Sequence, residues 1–272
     1  MRRPSNGRRN YSNRGSDVAT YWRKVWPSSQ CRATPSTESE SRSGFGGVRA
    51  RCRCGDDGPQ HLVGRRCMSR SRLPRHIGFI PDGNRRWAAS HGLSREHGYR
   101  HGVGPGLELF ELCSALQIPE VSVYGFTQDN TRRPTGQTAA FKQACIEFAV
   151  EVAARGAALL VLGDERSALF PDELRPYRVR KPGGMKVNFL VNYGWEWDLA
   201  GLSTQGALRS EDVSAVDMVV RWGGGCRLSG FLPVQCVYAD IYVVEDKWPD
   251  FSPEHLDDAL LWFARQDRTL GG

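Results

Sequence analysis

The sequence predicts an α/β fold: a single domain with a mainly parallel six-stranded sheet flanked by helices. From His76 onwards, short apolar segments alternate with longer segments of helical periodicity. Strands that are separated by helices are joined by right-handed crossovers, and such strands run parallel. A hydrophobic content of 40% over 272 residues is enough for one large core.

Six short apolar segments are the predicted strands: His76–Ile80, Val121–Phe126, Ala157–Leu162, Lys186–Tyr193, Asp217–Trp222 and Asp240–Val244. Helical periodicity predicts helices at Asn84–Ser90, Leu107–Gln117, Ala139–Arg155, Phe231–Ala239 and Pro253–Arg265. Ser252 is the expected N-cap of the last helix. The folded domain is therefore expected to comprise residues 73–272.

Residues 1–72 differ in composition from the rest of the chain. They hold 16 of the 37 basic residues but five of the 30 acidic residues, so the net charge of +7 arises there. Their Arg-, Ser- and Gly-rich sequence has no apolar periodicity and predicts disorder. Three interpretations stay open: an organellar transit peptide, a basic interaction arm, or a segment that precedes a translation start at Met68.

The sequence predicts neither a membrane span nor secretion. It contains no run of 18 apolar residues and no apolar core of a signal peptide. Cys113, Cys145, Cys226 and Cys236 lie in contexts that are typical of reduced thiols. We expect a cytoplasmic protein. A peripheral contact with a membrane stays open, whereas no nucleic-acid partner is expected.

Polar side chains cluster where the predicted strands end. Asp82–Arg86 follows the first strand, Asp129–Arg133 follows the second, and Asn192 closes the fourth. Arg221 ends the fifth strand, directly before Trp222 and Gly223–Gly225. The carboxyl ends of parallel strands meet at one edge of a sheet, and ligands bind beyond that edge. These side chains are therefore predicted to form one site.

Five arginines lie on or near this edge, and they predict a phosphate site. A guanidinium group binds phosphate through two parallel hydrogen bonds. Glycine turns, here at Gly83 and Gly223–Gly225, let backbone N–H groups approach phosphate oxygens closely. So many positive groups fit two diphosphates better than one. The arginines are Arg86, Arg95, Arg133, Arg221 and Arg227.

Asp82 is a carboxylate among these arginines, which favours a role in holding Mg²⁺ against phosphate oxygens. The alternative is an N-cap for the helix that follows it. Other phosphate sites are excluded by their missing motifs. The sequence has no P-loop, no dinucleotide-binding Gly-x-Gly-x-x-Gly pattern and no Asp-Asp-x-x-Asp cluster of the trans-type prenyl synthases.

Several stretches resemble the cis-prenyltransferases, the undecaprenyl diphosphate synthase family. They are HIGFIPDGNRRWA (76–88), VYGFTQDNTRRP (123–134), VNYGWEWDL (191–199), DMVVRWGGGCRLSGFLP (217–233) and YADIYVVEDKWPDF (238–251), followed by the closing RQDRTLGG. The resemblance implies a cis-prenyltransferase-type fold and Mg²⁺-dependent prenyl chain elongation. Isopentenyl diphosphate would condense with an allylic prenyl diphosphate to give a Z-polyprenyl diphosphate and free diphosphate. It also implies a homodimer and a tunnel for the growing chain, walled by helices such as Leu107–Gln117 and Ala139–Arg155.

The resemblance assigns roles to individual residues. Asp82 and Asn130 would be catalytic, and Asp82 and Asp240 would hold Mg²⁺. Arg221, Arg227 and Ser229 would bind isopentenyl diphosphate. The remaining substrate-binding residues would be Gly83, Asn84, Arg85, Arg86, Trp87, Arg95, Tyr99, Thr131 and Arg133.

The chain departs from the family at several of these positions. Tyr99 stands where the family often has His, Thr131 where it often has Trp, and Asp240 where it has Glu. Trp222 replaces a usual Thr and Gly225 a usual Glu. Two alternatives therefore stay open: a related enzyme that cyclises or rearranges a prenyl diphosphate, and a non-catalytic prenyltransferase subunit. The sequence leaves product length and the preferred starter open.

Overall fold

The computed structural model describes residues 73–266. Within this range six strands form one sheet in the order β3-β4-β2-β1-β5-β6. The predicted sheet is confirmed, and every pairing in it is parallel. The predicted disordered tail, residues 1–72, lies outside the described residues. The strands are β1 His76–Ile80, β2 Glu120–Tyr124, β3 Ala158–Leu162, β4 Lys186–Leu190, β5 Met218–Trp222 and β6 Asp240–Val244.

In the same described range, six α-helices connect and cover these strands: α1 Asn84–Ser90, α2 His97–His101, α3 Val103–Ala115, α4 Thr135–Ala154, α5 Trp195–Gln205 and α6 Pro253–Phe263. Short 3-10 helices add Gln128–Arg132, Asp172–Tyr177 and Trp248–Asp250. Ser252 caps α6 as predicted, through a reciprocal hydrogen-bond pair with His255. Among the helices of residues 73–266, none combines the length and the apolar character that a membrane span needs.

The predicted helix at Phe231–Ala239 is wrong, because this segment forms turns. Leu232 has a φ of 37°, outside the helical region, and Pro233 has no N–H to donate. Phe231 and Leu232 are fully buried, whereas Val237 and Tyr238 are exposed. The apolar pattern in the sequence therefore marks side chains that anchor a turn to the core.

Two helices were absent from the prediction, and two were predicted to begin too late, among them α4, which begins at Thr135 and not at Ala139. Neither α2 nor α5 was predicted. Helix α3 starts four residues before the predicted Leu107, at Val103, although its first turn contains Gly104, Pro105 and Gly106. Proline is tolerated in the first turn of a helix because the N–H groups there have no intrahelical partner.

A buried polar network holds the amino ends of β1, β2 and β4 together. His76 Nε2 lies 2.8 Å from Ser122 Oγ, and Asn188 Nδ2 donates to both Ser122 Oγ and Glu120 Oε1. Burial lowers the pKa of His76, so the imidazole is held neutral. This network fixes the strand register at the edge opposite to the predicted site.

The strand order determines where a ligand can enter. β1 lies at the centre, between β2 and β5. The chain leaves β1 towards β2 and later returns to the other side of β1 to form β5. Connections that leave a sheet in opposite directions open a crevice at the carboxyl ends of the strands concerned. The loops after β1, β2 and β5 therefore surround one opening.

Candidate active site

A cleft of about 760 Å³ opens at the carboxyl ends of β1, β2 and β5. Its lining comes from the loops after these three strands and from α1, α2 and α4. The structure thus brings together most of the site residues that the sequence predicted, in the place that the strand order requires. Twelve of them line the cleft: Asp82, Gly83, Asn84, Arg85, Arg86, Arg95, Tyr99, Asn130, Arg133, Arg221, Arg227 and Ser229.

Arg221 joins the loop after β1 to the loop after β5. Its Nη2 donates to Asp82 Oδ2 at 2.8 Å, and its Nη1 donates to the carbonyl oxygen of Arg227 at 2.6 Å and to Ser229 Oγ at 2.9 Å. Its side chain is 4% exposed, so water screens this charge little. Within the described residues, its buried Nε has no hydrogen-bond partner. The floor of the cleft is therefore a fixed positive charge.

Asp82 is held at the centre of the cleft by groups on both sides. Its Oδ1 accepts from the N–H of Gly83 at 2.6 Å and lies 3.7 Å from Arg86 Nη2. Gly83, with a φ of 107°, is the residue that caps α1, and no side chain makes the cap bond. The alternative that Asp82 is the N-cap is therefore wrong. Its carboxylate is 37% exposed and can reach a ligand.

The glycine turns present fewer backbone N–H groups to the cleft than expected. The N–H of Gly223 donates to the carbonyl oxygen of Asp246 at 2.7 Å, and that of Gly224 donates to the carbonyl oxygen of Val244 at 3.0 Å. Arg86 Nη2 donates to the carbonyl oxygen of Gly223 at 2.9 Å. These bonds fix the turn against β6. Arginine side chains are therefore the main source of positive charge for an anion in the cleft.

Asn130 is oriented by the 3-10 helix that contains it. Its backbone N–H donates to Thr127 Oγ1, and its Oδ1 accepts from the N–H of Thr127, both at 3.3 Å. This reciprocal pair is a capping box. Since Oδ1 faces the backbone, the NH₂ group is the end of the amide that can meet a ligand.

Tyr99, Arg133 and Phe141 form a compact group at the inner end of the cleft. Arg133 Nη1 donates to the hydroxyl oxygen of Tyr99 at 2.8 Å. The rings of Tyr99 and Phe141 are stacked with centroids 4.4 Å apart, and the Arg133 guanidinium lies 5.7 Å from the Phe141 centroid. Burial raises the pKa of Tyr99, which stays protonated as a neutral phenol.

Three predicted site residues do not line the cleft. Trp87 Nε1 donates to Asp250 Oδ1 at 2.6 Å, and its ring stacks on His91. Thr131 Oγ1 donates to the backbone oxygen of Gln128. Asp240 is the first residue of β6, at the amino edge of the sheet, one strand length from the cleft.

Asn192 is also withdrawn from the edge where the sequence placed it. It is 1% exposed, and its Nδ2 donates to the carbonyl oxygen of Asp164. Its backbone φ of 55° turns the chain away from β4. The segments that line the cleft are therefore those after β1, β2 and β5, without a contribution from Asn192.

Sequence reasoning missed the aromatic side chains Tyr124 and Phe141, which line both the cleft and an apolar cavity of about 60 Å³ behind it. Tyr124 is the last residue of β2, and its hydroxyl donates to the carbonyl oxygen of Ser229 at 2.8 Å. The position of Tyr124 at the end of a strand could have identified it from the sequence as a site residue. Nothing in the sequence identified Phe141, because its position in α4 resembles that of a core residue.

The donor set of the cleft fits Mg²⁺ only together with a phosphate ligand. Within the described residues, no three His, Cys, Asp or Glu side chains are grouped to hold a metal ion. Mg²⁺ typically binds through one or two carboxylates plus substrate phosphates. Asp82, half-exposed among arginines, suits that arrangement, whereas Asp240 is too far away to share an ion with it within one chain.

The cleft and the apolar cavity behind it together form a site that suits an amphiphilic anion. The outer part of the cleft presents several guanidinium groups around one carboxylate, and its inner end leads into apolar side chains. Arginines can bind a diphosphate there, while the apolar end can bury a hydrocarbon chain. Such a site can hold a diphosphate ester of an apolar alcohol.

Comparisons with known proteins agree with this geometry. The sequence profile of the prenyltransferase family, described as undecaprenyl diphosphate synthase, matches residues 80–271. A ditrans,polycis-undecaprenyl-diphosphate synthase from Vibrio parahaemolyticus is 30% identical over 230 residues, covering 73% of this chain and 91% of the relative. An isoprenyl transferase from Leptospira interrogans is 29% identical over 232 residues, covering 74% of this chain and 96% of the relative.

A solved structure shows the same fold. Lavandulyl diphosphate synthase from Lavandula x intermedia, crystallised with dimethylallyl diphosphate, superposes with a TM-score of 0.61. The two sequences are 22% identical, and the match covers 74% of this chain and all of the other.

Proposed function

The chain belongs to the undecaprenyl diphosphate synthase family of cis-prenyltransferases, and on this premise we propose that it condenses isopentenyl diphosphate with an allylic prenyl diphosphate in an Mg²⁺-dependent reaction. A new Z double bond forms, and diphosphate is released. The observation that supports this best is the Asp82–Arg221 pair at 2.8 Å, at the centre of a cleft that is rich in arginine at one end and apolar at the other.

Two sets of residues would bind the two diphosphates. Arg86 and Arg95, with Asn84 at the start of α1, surround Asp82 and would hold the allylic diphosphate. Arg227 and Ser229, across the floor formed by Arg221, would hold isopentenyl diphosphate. The separation of these sets by Asp82 and Arg221 keeps the two anions apart while both are bound. The allylic carbon and the isopentenyl double bond would then meet between them.

The chemistry needs charge stabilisation more than a strong base. The bond between the allylic carbon and its oxygen breaks, and negative charge develops on the departing diphosphate. Preorganised arginines stabilise that charge without reorganisation during the reaction. Mg²⁺, when held by Asp82 and the phosphate oxygens, supplies further neutralising charge. Asn130 would present its NH₂ group to a substrate and orient it, and the proton lost from the isopentenyl group would pass to an oxygen of the released diphosphate.

We expect Tyr99→Phe to raise the KM for the allylic diphosphate about tenfold, because Arg133 loses a hydrogen-bond acceptor that fixes its position. The stacking on Phe141 is retained, so kcat should change little. Steady-state kinetics with each substrate varied in turn would measure this. Tyr177→Phe, which also removes a phenolic oxygen but lies in the 3-10 helix Asp172–Tyr177 away from the cleft, is the control. An unchanged KM would assign Tyr99 a packing role alone.

A homodimer is part of the proposal. Val234, Val237 and Tyr238, in the turns before the edge strand β6, expose 45%, 65% and 75% of their surface. Exposed apolar side chains grouped beside an unpaired strand edge are typical of an association surface. A second copy of the chain is the proposed partner at this face.

The assay that tests the proposed function follows diphosphate release from the purified protein. With Mg²⁺, isopentenyl diphosphate and an allylic diphosphate, release is expected only when both substrates are present. Release from the allylic substrate alone would indicate a cyclising or rearranging enzyme. Absence of release with every allylic starter, while the protein still binds them, would indicate a non-catalytic subunit.

A further inference from the structure

Three successive glycines, Gly223–Gly225, form a turn in the wall of the cleft. Gly223 and Gly224 have φ angles of 82° and 72°, and glycine loses more conformational freedom on ordering than any other residue. Bonds from outside the turn must therefore hold it in one conformation. The turn matters for the cleft because the carbonyl oxygen of Gly223 accepts a hydrogen bond from Arg86 Nη2 at 2.9 Å and so positions that guanidinium.

The turn is held by residues 244–248, which we call the anchor segment. The N–H of Gly223 donates to the carbonyl oxygen of Asp246, and that of Gly224 donates to the carbonyl oxygen of Val244. At the other end of the anchor segment, the backbone N–H of Trp248 donates to the carbonyl oxygen of Asp82 at 2.9 Å. The anchor segment therefore connects the turn after β5 with the loop after β1, and its position sets that of the turn.

His255, in the first turn of α6, connects the anchor segment to the end of β5. Its Nε2 lies 3.1 Å from Asp246 Oδ2, and Trp222 Nε1 lies 3.3 Å from its Nδ1. We call these two side-chain hydrogen bonds the imidazole bridge. Trp222 directly precedes the glycine turn, and Asp246 provides the carbonyl oxygen that holds Gly223. The imidazole bridge thus joins the same two segments as that backbone bond and stiffens their connection.

The neighbours of His255 determine which ring nitrogen carries the proton. Nδ1 faces two groups that can only donate, the indole N–H of Trp222 and the backbone N–H of Ser252 at 3.2 Å. Nδ1 is therefore the acceptor, and Nε2 carries the proton and donates to Asp246. The imidazole bridge needs one acceptor and one donor, each at a fixed position of the same side chain.

The two ends of the imidazole bridge differ in mobility. Trp222 is fully buried, and its ring packs against Trp248 and Phe251 with centroids 4.8 and 5.9 Å away. Its N–H stays with His255, because a buried donor without an acceptor is costly. The Asp246 side chain, by contrast, is 64% exposed. The imidazole bridge therefore ties the exposed anchor segment to a ring that is fixed in the core.

We propose that His255 is a positioning residue of this enzyme, which holds the glycine turn and Arg86 in the geometry that binds the allylic diphosphate. The proposal rests on the proposed prenyltransferase function. His255 is not among the described residues that line the cleft, so it acts on the substrate through Trp222 and Asp246. Trp222 stands where the family usually has threonine, so the imidazole bridge lies outside the pattern by which this chain resembles the family.

The experiment compares His255→Gln with His255→Glu. Glutamine and glutamate both suit the third position of a helix with a serine cap, so both keep an acceptor for the N–H groups of Ser252 and Trp222. Glutamine also has an NH₂ group that can donate to Asp246, whereas glutamate would place a second carboxylate against it. A capping role alone predicts that the two variants behave alike. The imidazole bridge predicts that only glutamine replaces histidine.

Two readouts are taken for wild type and both variants. Steady-state condensation is measured with the allylic diphosphate varied, and binding of inorganic diphosphate in the presence of Mg²⁺ is measured by calorimetry. His255→Gln is expected to stay within about twofold of wild type in both. His255→Glu is expected to raise the KM about tenfold and to weaken diphosphate binding by a similar factor, because Arg86 loses its fixed position. Its kcat should change less than about threefold, since no group that contacts the substrate is removed.

Ser252→Ala is the control for a loss of stability. It removes the side chain that caps α6 but leaves the bonds of His255 with Trp222 and Asp246. The thermal midpoint should therefore fall by about 2–4 °C while the KM for the allylic diphosphate stays unchanged. An increase in KM equal to that of His255→Glu would assign the effect to stability and overturn the inference.

The remaining outcomes are also distinct. Equal KM values and diphosphate affinities for the glutamine and glutamate variants would overturn the role of the imidazole bridge. If His255→Glu fails to fold, Asp246→Ala removes the acceptor of the Nε2 proton and keeps the carbonyl oxygen that holds Gly223. It is expected to raise the same KM, and a wild-type value would contradict the inference. Absence of condensation by wild type would overturn the proposed function, whereas the calorimetric comparison would still decide on the imidazole bridge.

Discussion

Replacing Asp82 with asparagine is expected to lower kcat by about a thousandfold, in the range found when one preorganised stabilising group is removed from an active site. The substituted amide would keep the size of the side chain and one acceptor oxygen for the N–H of Gly83. It would lose the negative charge that balances Arg221 and Arg86 and that would hold Mg²⁺. Condensation of labelled isopentenyl diphosphate, measured at saturating substrate, reports the loss.

The control for this variant is Asp172→Asn. Asp172 also pairs with an arginine, Arg175, but its side chain is 84% exposed and lies away from the cleft. Surface ion pairs of this kind contribute little to stability, so wild-type turnover is expected. If Asp82→Asn retained more than a tenth of the wild-type kcat while remaining folded, Asp82 would not be the central catalytic carboxylate.

Arg221→Lys is expected to raise the KM for isopentenyl diphosphate by about a hundredfold. The guanidinium of Arg221 makes three hydrogen bonds at once, to Asp82, to the backbone oxygen of Arg227 and to Ser229. A lysine keeps the charge but has a single ammonium on a flexible stem and cannot span all three. Losing one or two hydrogen bonds that involve a charged group costs about 1.5–3 kcal/mol each, which corresponds to that increase in KM.

Two readouts separate this effect from a general loss of stability. The thermal midpoint of Arg221→Lys should fall, because the buried charge loses partners, yet the protein should still fold and bind the allylic diphosphate. Arg175→Lys, at an exposed pair, is expected to leave both KM values and the midpoint unchanged. If the KM of Arg221→Lys for isopentenyl diphosphate lay within threefold of the wild-type value, the role assigned to the three hydrogen bonds of Arg221 would be contradicted.

Most of the sheet was predictable because its strands are buried on both faces. β1, β3 and β5 are buried at every position, so each one stands out in the sequence as a short apolar segment. The predicted segments overlap all six strands. The predicted bounds of β1 and β6 match the structure, and those of the other four strands differ by one to three residues. At β4 the difference arises because apolar residues such as Val191 continue past the last hydrogen-bonded pair.

The predicted fold was wrong where the apolar residues of the sequence do not form one face of a regular helix. The buried side chains of Phe231 and Leu232 belong to a turn. In the sequence, their apolar pattern looks the same as the buried face of a helix, and only the backbone geometry distinguishes the two. Helix α5 was missed because Trp195, Leu202 and the polar residues between them make no clear apolar face; Trp195 and Leu202 are exposed.

The polar part of the site was more predictable than its apolar end. Asp82, Arg221 and Arg227 lie at strand ends or in the loops that follow, where the rule for parallel sheets directs the search. Phe148 and Trp248 line the apolar cavity behind the cleft, and their rings pack against glycines distant in sequence, at positions 106 and 102. No local pattern announces such contacts.

The configuration of the double bond made from isopentenyl diphosphate is the most direct test of the central claim. The purified enzyme would be supplied with Mg²⁺, ¹³C-labelled isopentenyl diphosphate and dimethylallyl diphosphate, and the new double bond in the product would be assigned by NMR. A Z double bond is predicted within the added unit, whose former terminal methylene carbon is bonded to the allylic carbon that lost its diphosphate. An E double bond, or a product without a new carbon–carbon bond, would contradict the assignment of this cleft to cis-prenyl transfer.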